Sequence, residues 1–152
     1  MRIGLISDTH GLLRESAVNY LRGSDLILHA GDVGGPQILE TLQGLAPVRA
    51  VRGNNDRDAW ACGLPLKETF EAAGVRIHLV HDIKDLVFDP AAQGVDVVVT
   101  GHSHKPSVDR RDGVLYINPG SAGRRRFKLP ISVGRLEVDA GRVEGFLDEL
   151  DS

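Results

Sequence analysis

Five short apolar, β-branched runs punctuate the chain, at residues 2–6, 25–28, 48–51, 75–80 and 95–99. The stretches between the first three carry a helical period instead. Residues 11–22 set Leu12, Leu13, Ser16, Ala17 and Tyr20 near one helical face. Residues 36–45 open with Pro36 at a first helical turn and bring Ile38, Leu39, Leu42 and Leu45 together. Strands alternating with helices predict β-α-β units and a largely parallel sheet. The second half reads as hairpins. Residues 65–72 and 75–81 flank Gly74, residues 106–110 and 114–118 flank Asp112-Gly113, and residues 131–138 and 142–147 flank Ala140-Gly141. One further helix is expected over residues 83–93, interrupted at Pro90. The pattern therefore predicts an α/β (α+β) fold with two sheets, one partly parallel and one mostly antiparallel, with helices outside.

Composition narrows the picture. At 152 residues the chain is expected to form one domain over residues 1–152. Hydrophobic residues at 41% and charged residues at 26% exclude bulk disorder. A net charge of −3 and a pI near 6.0 exclude a basic nucleic-acid coat protein. Aromatics at 5% argue against a stacking platform for single strands. The single cysteine, Cys62, makes neither an internal disulfide nor a cysteine-rich zinc site, so a reducing compartment is expected. No apolar run approaches the ~18 residues of a membrane span. The first ten residues, MRIGLISDTH, carry no basic-then-apolar leader and turn polar at Ser7 and Asp8. The expected location is cytoplasmic.

The chemistry lies at the carboxyl end of each apolar run. The first ends in Ser7-Asp8-Thr9-His10, the second in His29-Ala30-Gly31-Asp32, and the third in Gly53-Asn54-Asn55-Asp56. The fourth ends in His81-Asp82 and the fifth in Thr100-Gly101-His102-Ser103-His104. Ligands of open α/β sheets bind at this edge. Asp8 and His10 are two residues apart, as are His102 and His104, so in extended chain each pair projects to one side. Each pair suits one centre or two adjacent ones. Four imidazoles, two carboxylates and the Asn54 amide exceed what one tetrahedral site uses. They suit two divalent ions such as Mn²⁺, Fe²⁺, Zn²⁺ or Ni²⁺, with a carboxylate bridging them. Two-metal sites suit in-line displacement at phosphorus, so the ligand chemistry points to a phosphoesterase.

These residues also resemble a known signature. Asp8-Thr9-His10, Gly31-Asp32, Gly53-Asn54-Asn55-Asp56, His81 and Gly101-His102-Ser103-His104 are similar to the ordered motifs of calcineurin-like metallophosphoesterases. Asn118-Pro119-Gly120-Ser121 resembles a motif of their small single-domain branch, the YfcE-like phosphodiesterases. The resemblance implies a four-layer α-β-β-α sandwich of two mixed β-sheets flanked by helices. It implies a first metal on Asp8, His10, Asp32 and His104, and a second on Asp32, Asn54, His81 and His102. Mn²⁺ is the expected ion in vitro, with Fe, Zn²⁺ or Ni²⁺ also accepted. The implied reaction is phosphodiester hydrolysis by a metal-bound hydroxide, with catalytic roles for Asp32, Asn54 and Asn55. Two positions depart from the pattern. Asn55 stands where many members carry a histidine; an amide is no general acid, but it donates hydrogen bonds to a phosphoryl oxygen. Asp82 stands where the small branch commonly has glycine.

Simpler readings stand beside these. Asp8 and Asp32 also suit helix caps. His78 lies inside its run and reads as structural. His29 either orients a carboxylate or fills space, and the second is favoured. The basic run 124–128 reads as solvated surface, with Arg124 the one candidate substrate contact. Trp60, Cys62 and Phe70 read as packing groups. The expected partner is a small phosphoester substrate, with no membrane, no stable nucleic-acid binding and, from the small branch, a homodimer. A phosphomonoesterase or nuclease with the same centre is one alternative. A docking module whose metal merely stabilises the fold, like the retromer subunit that resembles this family, is another.

Overall fold

The structure is a computed structural model describing residues 1–150. In chain order its elements begin with β1 (Arg2–Ile6), α1 (Glu15–Leu21), β2 (Leu26–His29), α2 (Pro36–Gln43) and β3 (Val48–Ala50). β4 (Lys67–Ala72), β5 (Val75–Val80), β6 (Val97–Val99), β7 (Ser107–Arg111) and β8 (Val114–Asn118) come next. β9 (Ser132–Asp139) and β10 (Arg142–Glu149) complete the chain order. They build two five-stranded sheets, ordered β10-β9-β1-β2-β3 and β4-β5-β6-β8-β7. In the first, β1, β2 and β3 are parallel and the β9–β10 hairpin adds antiparallel to β1. In the second, β5, β6 and β8 are parallel, and β4 and β7 pair antiparallel at the edges. That second sheet is more parallel than the hairpin pattern suggests, because β6 enters between two hairpins.

The two sheets stack through a shared apolar layer. Ile3, Leu5, Leu28 and Val51 meet Ile77, Leu79, Val97, Val99 and Ile117 there. Behind the first sheet, Ala17 and Leu21 of α1 and Ile38 and Leu42 of α2 pack with Ile6, Ile27 and Val133. Successive strand residues point to opposite faces, so Ile3 and Leu5 serve one layer while Ile6 serves the other. Helix α1 begins only at Glu15, since Arg14 before it is extended (φ −69°, ψ 145°) and Gly11 is left-handed at φ 84°. The expected helix over 83–93 is not formed. Residues Ile83–Asp85 make one 3-10 turn, started by Asp82 accepting from the Lys84 N–H. Pro90 excludes α geometry at the residue before it, and Asp89 accepts from the Ala91 N–H. Leu86 and Phe88 from this connection still cover Val98 and Tyr116 on the outer face. No helix among the described residues is long and apolar enough to cross a membrane.

The three hairpins turn through Ala73-Gly74, Asp112-Gly113 and Ala140-Gly141, with φ of 49° and 84°, 53° and 78°, and 50° and 78°. Both central residues are left-handed in each, which is the type I′ signature favoured by strand twist. The Ala73-Gly74 and Ala140-Gly141 turns lie side by side, at the end of β5 remote from His81. At the opposite end, the carboxyl ends of β1, β2, β3, β5 and β6 converge across the two sheets.

Candidate metal centre

The loops after these five strands bring all seven predicted ligands into one cluster. They do so by an unusual backbone. Asp8 (φ 54°), His10 (47°), Asp32 (54°), His102 (69°) and His104 (61°) are all left-handed. The pairs two residues apart therefore converge through tight turns, not through the extended chain expected. Left-handed backbone costs an ordinary residue of order 1–2 kcal/mol, and such outliers cluster where a site must be pre-formed. Glycine allows two of the closest approaches. A Cβ on Gly31 would sit 2.6 Å from His81 Nδ1, and one on Gly53 would sit 2.2 Å from the Asp32 backbone nitrogen.

Two groups of acceptor atoms result. Asp8 Oδ1 lies 3.4 Å from His104 Nε2 and 3.8 Å from His10 Nε2. Asn54 Oδ1 lies 3.0 Å from His81 Nε2 and 3.2 Å from His102 Nδ1. Asp32 Oδ2 faces both groups, 3.7 Å from His10 Nε2 and 3.2 Å from His81 Nε2. Asp8, His10 and His104 form one set able to hold an ion, and Asp8, Asp32 and His81 form another. The remaining bonds leave these atoms free. Asp8 Oδ2 accepts from Ser7 Oγ at 2.6 Å and from the His102 N–H at 3.0 Å, while its Oδ1 has no hydrogen-bond partner. His10 Nε2 is likewise buried without a partner, and on His104 it is the other ring nitrogen, Nδ1, that has none. His81 Nδ1 lies 2.7 Å from the Ala30 carbonyl, which only accepts, so that nitrogen carries the proton and Nε2 offers its lone pair inward.

Lone pairs that face one another in a buried site repel unless a cation lies among them. The titration of the residues has the same sense. Burial would raise the Asp32 carboxyl, but the His81 ring and the Asn55 N–H outweigh it and hold it down to about 2. Burial likewise opposes ionisation of Asp8, and His104, Ser7 and His81 together hold its carboxyl below the usual range. Burial opposes a charge on His81, yet Asp32 and Asp8 raise its affinity for a proton. A divalent cation ligated by nitrogen and oxygen fits this donor set.

The supporting residues are more numerous than the sequence suggests. Asn55 turns onto Asp32, its backbone N–H donating to Oδ1 at 2.8 Å and its Nδ2 to Oδ2 at 3.2 Å. Asp56 is buried and accepts from the N–H groups of Val33, Gly34 and Gly53, binding the β3 loop to the β2 loop. His29 touches no carboxylate directly. Its Nδ1 accepts from the Gly31 N–H at 3.1 Å and its Nε2 meets Thr9 Oγ1 at 3.0 Å, so it joins the loops bearing Asp8 and Asp32. Asp82 places Oδ2 3.5 Å from His102 Nε2, on the ring edge away from Asn54. Asn118 donates to Gly101 O and Ser103 Oγ, bracing the turn between His102 and His104. Ser121 Oγ and Ala122 N donate to the Asp8 and Ser7 carbonyls, so the 118–123 loop lies against the centre. Arg124 is exposed just beyond it, with no bond to the cluster among the described residues. His78 lies on the second sheet, bonded to Thr69 Oγ1 at 2.7 Å and edge-on to Phe88. The motif run that holds Asn54 also contains Asp56, but its role needs the facing loop to be known.

Comparison with known proteins agrees with the geometry. The calcineurin-like phosphoesterase superfamily domain matches residues 1–141. A probable metallophosphoesterase of Methanothermobacter thermautotrophicus is 35% identical, over 95% of this chain and 90% of its own. A protein of Methanocaldococcus jannaschii named a phosphodiesterase is 28% identical, over 91% and 94%. Zinc-complexed Vps29 of Entamoeba histolytica shares the fold with a TM-score of 0.74 over 98% of this chain and 99% of that one, at 24% identity. With the ordered ligand motifs inside the matched span, the chain belongs to the calcineurin-like phosphoesterase superfamily.

Proposed function

We propose that this chain is a metal-dependent phosphodiesterase with a binuclear centre. The observation that carries the reading is Asp32 Oδ2, which faces His10 Nε2 on one side and His81 Nε2 on the other. Asp8, His10, His104 and Asp32 would hold one ion; Asp32, Asn54, His81 and His102 would hold the second. Mn²⁺ is the first candidate, and Fe²⁺, Zn²⁺ and Ni²⁺ suit the same donors. Two bound ions would acidify a water and offset negative charge on the phosphoryl oxygens. The chain's own residues orient that chemistry. The Ala30 carbonyl keeps the His81 proton on Nδ1, and Asn55 locks both oxygens of Asp32. The second hydrogen on Asn55 Nδ2 is available to a phosphoryl oxygen, but the amide supplies no proton to a leaving group. Good leaving groups are therefore favoured.

The test is hydrolysis of bis(4-nitrophenyl) phosphate and of 4-nitrophenyl phosphate by metal-stripped protein, with and without added Mn²⁺, beside Asp32→Asn. We expect Mn²⁺-dependent diester turnover that exceeds monoester turnover and falls at least ~100-fold in the variant. Monoester preference would replace the diesterase with a phosphomonoesterase. No turnover on either substrate, with metal bound, would favour a second reading. The likeness to Vps29, named for vacuolar protein sorting and not for hydrolysis, supports that reading, a docking module whose metal stabilises the fold.

A further inference from the structure

A groove of about 480 Å³ adjoins the second group of candidate ligands, with Asn54 and His81 in its lining. Arg52, Leu66, Lys67, Asp82, Asp85 and Val87 are among the residues that line it. Two of these are large apolar side chains left in water, Leu66 at 61% and Val87 at 75% exposure. Their exposure is held in place. Val87 lies between Leu86 and Phe88, both packed inward against the second sheet. Leu66 is held between Pro65, whose carbonyl accepts from the Arg52 N–H at 2.8 Å, and Lys67, which pairs with Val80. Apolar side chains that line a cleft beside a polar centre suit an uncharged group of a ligand. The charges describe that ligand. Arg52 and Lys67 balance Asp82 and Asp85 in number, so these lining side chains sum to no net charge and favour no further phosphate.

We propose that this groove is a subsite for one ester group of the substrate, an uncharged, ring-sized organic group such as an aryl or nucleoside moiety. The inference rests on the two-ion phosphodiesterase reading and adds the substrate class. A tetrahedral phosphorus held at the centre has ester groups that diverge, and Asn54 and His81 belong to both the centre and the groove lining, so the groove is open to one of them. The volume falls in the range of small-molecule pockets and accommodates a ring, which a methyl ester would leave empty.

The test is calorimetric binding of diphenyl phosphate and dimethyl phosphate to the Mn²⁺-loaded protein, since neither has a good leaving group. Diphenyl phosphate is expected to bind at least ~10-fold more tightly, about 1.4 kcal/mol. Leu66→Ser with Val87→Ser should remove most of that advantage. Both residues are on the surface, where substitution is well tolerated. Equal affinities in the natural protein overturn the proposal without the variant being needed, and an advantage that survives the double substitution overturns it too. Turnover of bis(4-nitrophenyl) phosphate is read separately. Turnover without an aryl preference sinks the groove alone. An aryl preference without turnover upholds the groove as a ligand site and sinks the phosphodiesterase.

Discussion

Asp56 shows how much of the centre rests on residues that touch no ligand. Its carboxylate takes three backbone N–H groups from two loops, and a buried donor deprived of its acceptor costs about 1–3 kcal/mol. Asp56→Asn turns an amide donor toward one of these N–H groups. Its unfolding free energy in urea, without metal, should fall by about that amount; an unchanged midpoint would mean the loops are held otherwise. His29 makes a different contribution. Burial pushes its ring down from an ordinary value of 6.5 to about 4. As pH falls the unfolded chain takes up this proton first, so the stability from neutral His29 is complete above about pH 6.5. It is lost as pH falls toward 4, by an amount on the order of 3 kcal/mol. His29→Gln should therefore flatten the loss of stability of metal-stripped protein between about pH 7 and about pH 4.5. Parallel pH profiles for the two proteins would refute this. The candidate ligands are legible from sequence because they directly succeed apolar runs. The roles of Asp56 and His29 are not, because a hydrogen bond across loops depends on a register that local pattern does not encode.

At the scale of elements, the strands and hairpins match the sequence pattern closely, since alternation and turn residues act locally. The expected helix over 83–93 fails for a reason also present locally, Pro90, and the segment covers its sheet with only Leu86 and Phe88. Two turns are poorly matched to their sequence. Ala73 and Ala140 adopt left-handed geometry that asparagine tolerates better. Ala73→Asn and Ala140→Asn should each stabilise the protein by about 1 kcal/mol, seen as a higher melting temperature, with metal-dependent turnover unchanged because both turns lie far from His81. A lower melting temperature would show that the alanines make contacts outweighing their backbone cost.

For the whole molecule, the two-sheet architecture is legible because each apolar run is too short for a buried helix and too regular for a loop. The left-handed loops that shape the centre are not, because only assembled sheets hold five such residues in place. That assembly has its own order. β1 carries Asp8 and His10 on its succeeding loop, yet it lies in the sheet between β2 and β9, with Arg2 paired to Glu137. During synthesis β1 therefore lacks one neighbour until the hairpin at residues 132–149 has emerged. All seven candidate ligands have been synthesised by residue 104, well before that. A nascent chain thus displays the full set of candidate metal ligands while its central strand is still open on one side. On the two-ion reading, any selection among ions would wait for the hairpin at residues 132–149 to close the sheet.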